Sequence, residues 1–155
     1  IDELVEIGLR ALSPGINDPF TAITCMHWLS AVLVALVDRD LDRDADGRPY
    51  GEDGVYCLAD DFAHFVERSF GAMRASAAAN DLASKLYVDA LGSVMLVAEK
   101  NGRDEPLRVQ VRRLLDQARE ALNGPALYEL EKRGAALLAN DRSPPFGSTS
   151  GHDVP

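Results

Sequence analysis

The chain has 155 residues, 46% of them apolar, so it is long enough to enclose one substantial core and too short for two comfortable domains. Its 16 lysines and arginines against 25 acidic residues give a net charge of −9, without any basic cluster. Nucleic acid is therefore not an expected partner, because such a surface repels a phosphate backbone. Cys25 and Cys57 lack metal or redox spacing, which indicates buried thiols in the cytoplasm. A disulfide between them is the alternative.

Apolar periodicity and capping residues predict an all-α fold of about six helices in one bundle-like domain, residues 1–140. A Pro-, Gly-, Ser- and Thr-rich tail, 141–155, is expected to be flexible because it offers little apolar surface to offset its ordering entropy. The chain begins inside an amphipathic pattern without Met, which predicts a fragment of a longer protein. The expected helices are Asp2–Leu12, Pro19–Val37, about 58–78, about 81–101, about 106–122 and about 125–138.

The second helix is the most apolar, with no formal charge from Phe20 to Val37. Eighteen such residues are the lower limit for crossing a bilayer. Acids flank the run at Asp18 and Asp38, and aromatic belts and a basic flank are absent from its ends. These features favour a buried central helix of a bundle over a membrane span.

An acidic segment from Asp38 to Asp61 carries nine acids and three arginines. It is expected to form a turn, or a short hairpin at Asp46-Gly47. Its spacing also resembles a calcium loop, with oxygen ligands at positions 1, 3, 5 and 12 and glycine at position 6. Position 12 is a short Asp rather than Glu, and Pro49 stands at position 8. A solvated turn is therefore favoured over a metal site, whose candidate ligands are Asp42, Asp44, Asp46 and Asp53.

His64 offers a second metal hypothesis. Asp60, Asp61, His64 and Glu67 share one predicted helical face, where carboxylates and an imidazole could meet a divalent ion. Such clusters are common on solvated faces, and a surface or capping role is favoured. His27 is expected to be a hydrogen-bonded core residue, because an unpaired buried imidazole is costly.

Motifs for catalysis are absent from the sequence. It contains no nucleophile elbow, P-loop, dinucleotide-binding glycines or recognisable Cys–His pairing. We therefore expect neither an enzyme nor a cofactor.

A turn between the first two helices concentrates polar residues, from Arg10 to Ala22. Local structure explains each residue: the turn accounts for Pro14 and Gly15, the helix cap for Asp18, and helix entry for Pro19. Alternatively, the free N–H groups of the helix N-terminus could hold an anion or an acidic partner. Its side-chain contacts would come from Arg10, Ser13, Asn17 and Thr21.

The stretch RALSPGINDPFTA, residues 10–22, resembles the signature of a family of predicted bacterial integral membrane proteins, domain of unknown function 2254. An acidic D-A-D-G-R turn at residues 44–48 and the stretch from Phe65 to Arg74 extend the resemblance over about residues 1–140. The family usually has an aromatic-Asp-Gln-x-Arg pattern where this chain has Ser69 to Arg74. The family's acidic turn is usually followed by a strand-like run, so the resemblance favours a hairpin over a calcium loop.

The resemblance implies transmembrane helices N-terminal to this region and a location at the cell membrane. This region itself would be a soluble C-terminal helical part on the cytoplasmic side. The leading hypothesis is thus a non-catalytic structural or oligomerisation module that contacts its own membrane part or a second copy. The alternative is a regulatory domain that senses calcium through the acidic turn or an anion at the signature helix.

Overall fold

The computed structural model describes residues 1–39 and 61–139, which form six helices and contain no strand. Helix α3 is continuous but has three parts: Phe62–Val66, a π-helical turn Glu67–Gly71, and Ala72–Ala78. A 3₁₀ turn, Glu99–Asn101, extends α4. The remaining bounds are α1 Asp2–Ala11, α2 Pro19–Val37, α4 Asp81–Ala98, α5 Glu105–Ala121 and α6 Gly124–Leu138. The predicted all-α fold is confirmed, whereas the acidic turn and the tail lie outside the described residues.

Side-chain caps explain where the helices begin. Asp18 accepts a hydrogen bond from the backbone N–H of Thr21 at the start of α2, and Asn80 accepts one from Ala83 at the start of α4. Each cap satisfies an N–H group that the helix leaves without a partner. Gly102 follows the 3₁₀ turn with a φ of +65°, a left-handed conformation that favours glycine. The predicted cap at Asp18 is therefore confirmed.

The core lies between α2 and α4, and the other helices surround this pair. Helix α1 packs alongside α2, α6 packs against α4 and α5, and the last part of α3 packs against α5. The largest fully buried side chains come from all helices except α1, and they include Met26, Leu29, Leu33, Phe70, Met73, Tyr87, Leu91, Met95, Leu107, Leu114 and Leu130. One continuous hydrophobic cluster thus holds the helices together.

Helix α2 is enclosed on one side only. Met26, Leu29 and Leu33 are fully buried against the bundle, whereas Phe20 and Trp28 are mostly exposed. This differs from the expected helix buried on all sides. The physical reason is that α1, α3 and α4 pack on one side of α2, and no described helix covers the other.

Candidate functional site

The outer side of α2 and the adjoining side of α1 form an apolar surface that no described residue covers. Phe20 is 72% exposed, Trp28 is 63% exposed and Ile7 is 50% exposed. Smaller exposed residues continue the stripe along α2 at helical spacing. We call this surface the α1–α2 face; its members are Ile7, Phe20, Thr24, Trp28, Ala31 and Ala35. None of its members carries a charge.

A groove of about 450 Å³ runs along the α1–α2 face. Leu4 and Ile7 of α1 line it together with Phe20 and Trp28 of α2. Cys25 also lines the groove as a buried free thiol, and burial raises the pKa of that thiol. The lining of the groove is thus mainly apolar, which suits it to packing.

The turn before α2 holds the residues of the anion hypothesis, and the hydroxyls of Ser13 and Thr21 bond within the turn. The Ser13 hydroxyl donates to the carbonyl of Arg10 at 2.7 Å. The Asp18 carboxylate accepts from the backbone N–H of Thr21 at 3.2 Å and from its hydroxyl at 2.6 Å. Asn17 has a φ of +47°, which Asn tolerates better than most residues. Two of the four side-chain donors that the hypothesis gives to an anion, the hydroxyls of Ser13 and Thr21, are therefore engaged by the chain itself.

The charge at this helix end also matters for that hypothesis. Hydrogen bonds from Thr21 hold the pKa of Asp18 below its ordinary value, so its carboxylate is ionised. An incoming anion would meet this negative charge. Pro14 and Gly15 are exposed, and Pro19 occupies the first turn of α2. Arg10 makes no ion pair with a described residue. Anion binding stays a prediction that none of these contacts supports.

A polar cluster joins α3 to α5. The Arg74 guanidinium, whose side chain is 14% exposed, donates to the side-chain oxygens of Gln110 and Gln117. The Gln110 amide donates in turn to the carboxylate of Glu67, which Arg113 also contacts. Within the described part of the chain, every buried side-chain nitrogen and oxygen has a hydrogen-bond partner. The cluster therefore fixes the position of α3 against α5, as a fully satisfied polar network does.

The π-helical turn of α3 has its own supports. A π turn disturbs the regular helical ladder and leaves carbonyl groups in need of donors. The Ser69 hydroxyl donates to the carbonyl of Phe65 at 2.6 Å, and the buried Tyr87 hydroxyl of α4 donates to that of Phe70 at 2.9 Å. At Gly71 a β-carbon would lie 2.6 Å from the carboxyl carbon of Glu67, so glycine leaves room for that side chain.

The metal hypotheses receive no support from the described residues. Asp61 caps α3 by accepting from the backbone N–H of His64 at 2.7 Å, and Glu67 accepts from Gln110 of α5. Asp60, the fourth residue of that hypothesis, lies outside the described residues. In residues 1–39 and 61–139, no group of three or more His, Cys, Asp or Glu side chains is placed to hold an ion. The candidate calcium ligands Asp42, Asp44, Asp46 and Asp53 lie outside the described residues.

Sequence reasoning missed the exposed side of α2, although the sequence contains a signal for it. Thr24, His27 and Trp28, which carry hydrogen-bonding groups, lie on the same exposed side of the helix. The expectation that His27 is a core residue is therefore wrong. The grouping of these three residues distinguishes that side from the inner side, which is mostly apolar and carries Leu29 and Leu33 beside the buried Ser30. The π turn left no comparable signal, because it depends on the Tyr87 hydroxyl from another helix.

The fold and this surface together define an all-α domain with an uncharged, partly uncovered second helix. By length and composition, with a mean hydropathy of 1.9, that helix could cross a membrane, yet 44% of it is buried in the bundle. The model of a family described as predicted membrane protein, domain of unknown function 2254, matches residues 1–92. The chain belongs to this family, which supports a membrane location.

Similar proteins occur in mycobacteria. An uncharacterised protein of Mycobacterium bovis and one of Mycobacterium tuberculosis are each 50% identical to this chain over 50 residues. This segment is 32% of the chain and 10% of each relative, so the match spans about a tenth of the length of these relatives. No solved structure matches the chain.

Proposed function

We propose that this chain is a non-catalytic helical module of a membrane protein, located on the cytoplasmic side, and that its α1–α2 face packs against another protein surface. The observation that carries the proposal is the exposure of Trp28 and Phe20 on a helix without charge. Large apolar patches on a folded surface are typical of interaction sites. Membership of a membrane-protein family and the greater length of its relatives support a role within a larger assembly.

The clustering of its apolar side chains distinguishes the α1–α2 face from ordinary exposed residues. Three other large apolar side chains, Leu82, Leu96 and Tyr128, are exposed in the described residues of the later helices, and none of them lines this groove. Single exposed apolar residues of that kind are normal in soluble proteins. On the α1–α2 face, by contrast, Ile7, Phe20 and Trp28 line one groove. We expect the groove to be filled when the protein is assembled.

A pair of matched substitutions tests this function. Trp28→Glu and Tyr128→Glu place a carboxylate at two aromatic positions that are 63% and 64% exposed. In the membrane-embedded protein, Trp28→Glu should reduce the yield of monodisperse assembly after mild solubilisation, because it buries an unpaired charge. Tyr128→Glu should leave that yield unchanged.

Folding of the isolated chain is the control. Both variants should show wild-type helicity and unfold within about 0.5 kcal/mol of the wild type, as surface substitutions usually do. Equal yields of assembly for the two variants in the membrane would contradict the proposal.

A further inference from the structure

The α1–α2 face has the features expected of a surface that binds a second copy of itself. We infer that two copies of this chain dimerise through the α1–α2 face, with their α2 helices antiparallel and related by a two-fold axis. The inference rests on the proposed function, because it names the partner that covers the face. A two-fold interface is isologous, so each residue of the face must be compatible with the residues that it meets in the other copy.

The sizes of the side chains satisfy this requirement. Thr24, Trp28, Ala31 and Ala35 follow one another at spacings of four, three and four residues, the spacing of a helix–helix seam. In an antiparallel pair, Trp28 can face Ala31 of the second copy while Thr24 faces its Ala35. Each larger side chain then meets an alanine, which leaves space for it. A parallel pair would instead set Trp28 against Trp28.

The charges at the two ends of the face favour the same orientation. Arg10 and Asp18 lie at the N-terminal end of α2, where the backbone N–H of Asp18 bonds to the carbonyl of Ala11. Asp38, whose carboxylate also accepts from the Asn101 amide of its own copy at 2.9 Å, and Arg39 lie at its C-terminal end. Antiparallel docking brings Arg10 toward Asp38 of the second copy and Asp18 toward its Arg39. Neither arginine makes an ion pair with a described residue of its own copy.

The whole molecule carries a charge of −9, so two copies repel each other at long range. The centre of the contact would nevertheless be neutral, since α2 has no charged residue from Pro19 to Val37. Salt should weaken this long-range repulsion, because it screens the charges of both copies.

The size of the face predicts a weak dimer. Helix α2 has 19 residues, which corresponds to a length of about 28 Å and a width of about 10 Å. With the adjoining side of α1, each copy would bury roughly 500 Å², or about 1,000 Å² in total, which is the lower limit for a specific interface. We therefore expect a dissociation constant on the order of 10 µM.

Sedimentation of the 155-residue chain between about 1 and 300 µM tests the inference. The average mass should rise with concentration from the monomer mass of 16.8 kDa toward twice that value. Trp28 is the only tryptophan, so its fluorescence should shift to shorter wavelength over the same range as the indole leaves water. A chain that stays monomeric throughout would overturn the inference.

Two sets of variants establish which surface is used. Ala31→Glu should raise the dissociation constant by about 100-fold, because each copy would bury a carboxylate in the seam. Ala136→Glu, at an exposed alanine of α6, is the matched control and should leave it unchanged. If the wild type dimerises and Ala31→Glu dimerises equally well, the dimer uses another surface and the inference is wrong.

The orientation has its own test. Arg10→Glu and Asp38→Arg should each raise the dissociation constant by about 10-fold, since each change occurs twice in a symmetric dimer. The double variant should restore the wild-type dissociation constant through the reversed ion pair between the two copies. Positions 10 and 38 lie too far apart within one copy to pair with each other. Failure of restoration would exclude the antiparallel arrangement. If the isolated chain is monomeric while Trp28→Glu still disrupts the membrane-embedded protein, the proposed function survives and the partner is not a second copy.

Discussion

The two sides of α2 have similar hydrophobicity and opposite surroundings. The inner side presents Met26, Leu29 and Leu33, each fully buried against the bundle. The outer side presents Phe20 and Trp28, both mostly exposed. Apolar surface is equally unfavourable in water on both sides. Burial of the inner side stabilises the fold, and we expect a partner to bury the outer side. Hydrophobicity alone therefore does not separate residues that stabilise a fold from those that mediate assembly.

The largest expected contrast is between truncations on the two sides. Leu29→Ala should lower the free energy of unfolding by about 2 to 5 kcal/mol, because it removes buried methyl groups and leaves a cavity. Urea unfolding of the isolated chain, monitored by circular dichroism, measures this change. A loss below about 1 kcal/mol would show that the inner side is not packed as described.

The buried Tyr87 and the exposed Tyr128 allow the same contrast, between buried and exposed positions, to be tested at a single hydroxyl group. Tyr87→Phe should cost about 1 to 3 kcal/mol of unfolding free energy, because the carbonyl of Phe70 in the π turn would lose its buried donor. Tyr128→Phe, at a side chain that is 64% exposed, should cost nothing measurable. The same urea unfolding experiment compares them, and equal effects would contradict the role given to the Tyr87 hydroxyl.

Asp18 lies at the border between the two sides, and its effect depends on pH. Its pKa is lowered in the folded chain, so its ionised form stabilises the fold above the ordinary value of 3.8. This stabilisation is lost as pH falls through the lowered pKa, below 3.8. Asp18→Asn keeps a cap without the charge. The melting temperature of the wild type should exceed that of the variant at neutral pH, and the difference should shrink below 3.8; a constant difference would contradict this account.

The smallest expected effect belongs to the outer side. Trp28→Ala should change the unfolding free energy of the monomeric chain by no more than about 0.5 kcal/mol, since the side chain is 63% exposed. Chemical unfolding at low micromolar concentration measures it. A loss comparable to that of Leu29→Ala would place Trp28 in the folding core and remove the distinction between the two sides.

The sequence was sufficient to predict the helices because their ends are encoded locally. Asp18 and Asn80 are capping residues, Pro19 occupies a first helical turn, and Gly102 takes the left-handed conformation. Each of these roles depends on a few neighbouring residues. Local patterns thus predicted both the helix count and most helix boundaries.

The candidate site was harder to predict because it depends on which helices pack together. Helix α2 is apolar on all sides, so periodicity gave no direction to its exposed face. The polar cluster at Arg74 and Gln110 joins residues 36 positions apart, and the Tyr87 bond crosses 17. Such contacts follow from tertiary packing, which no local pattern specifies.

Chemical labelling of cysteines tests most directly whether the outer side of α2 is covered in the assembled protein. In a background without Cys25 and Cys57, Trp28→Cys and Tyr128→Cys place thiols at two positions of nearly equal exposure, 63% and 64%. In the isolated, dilute chain both thiols should react with maleimide at similar rates. In the membrane-embedded protein the thiol at position 28 should become at least about 10-fold slower, while that at position 128 stays reactive, since burial excludes the reagent. Equal rates in the membrane would contradict the account.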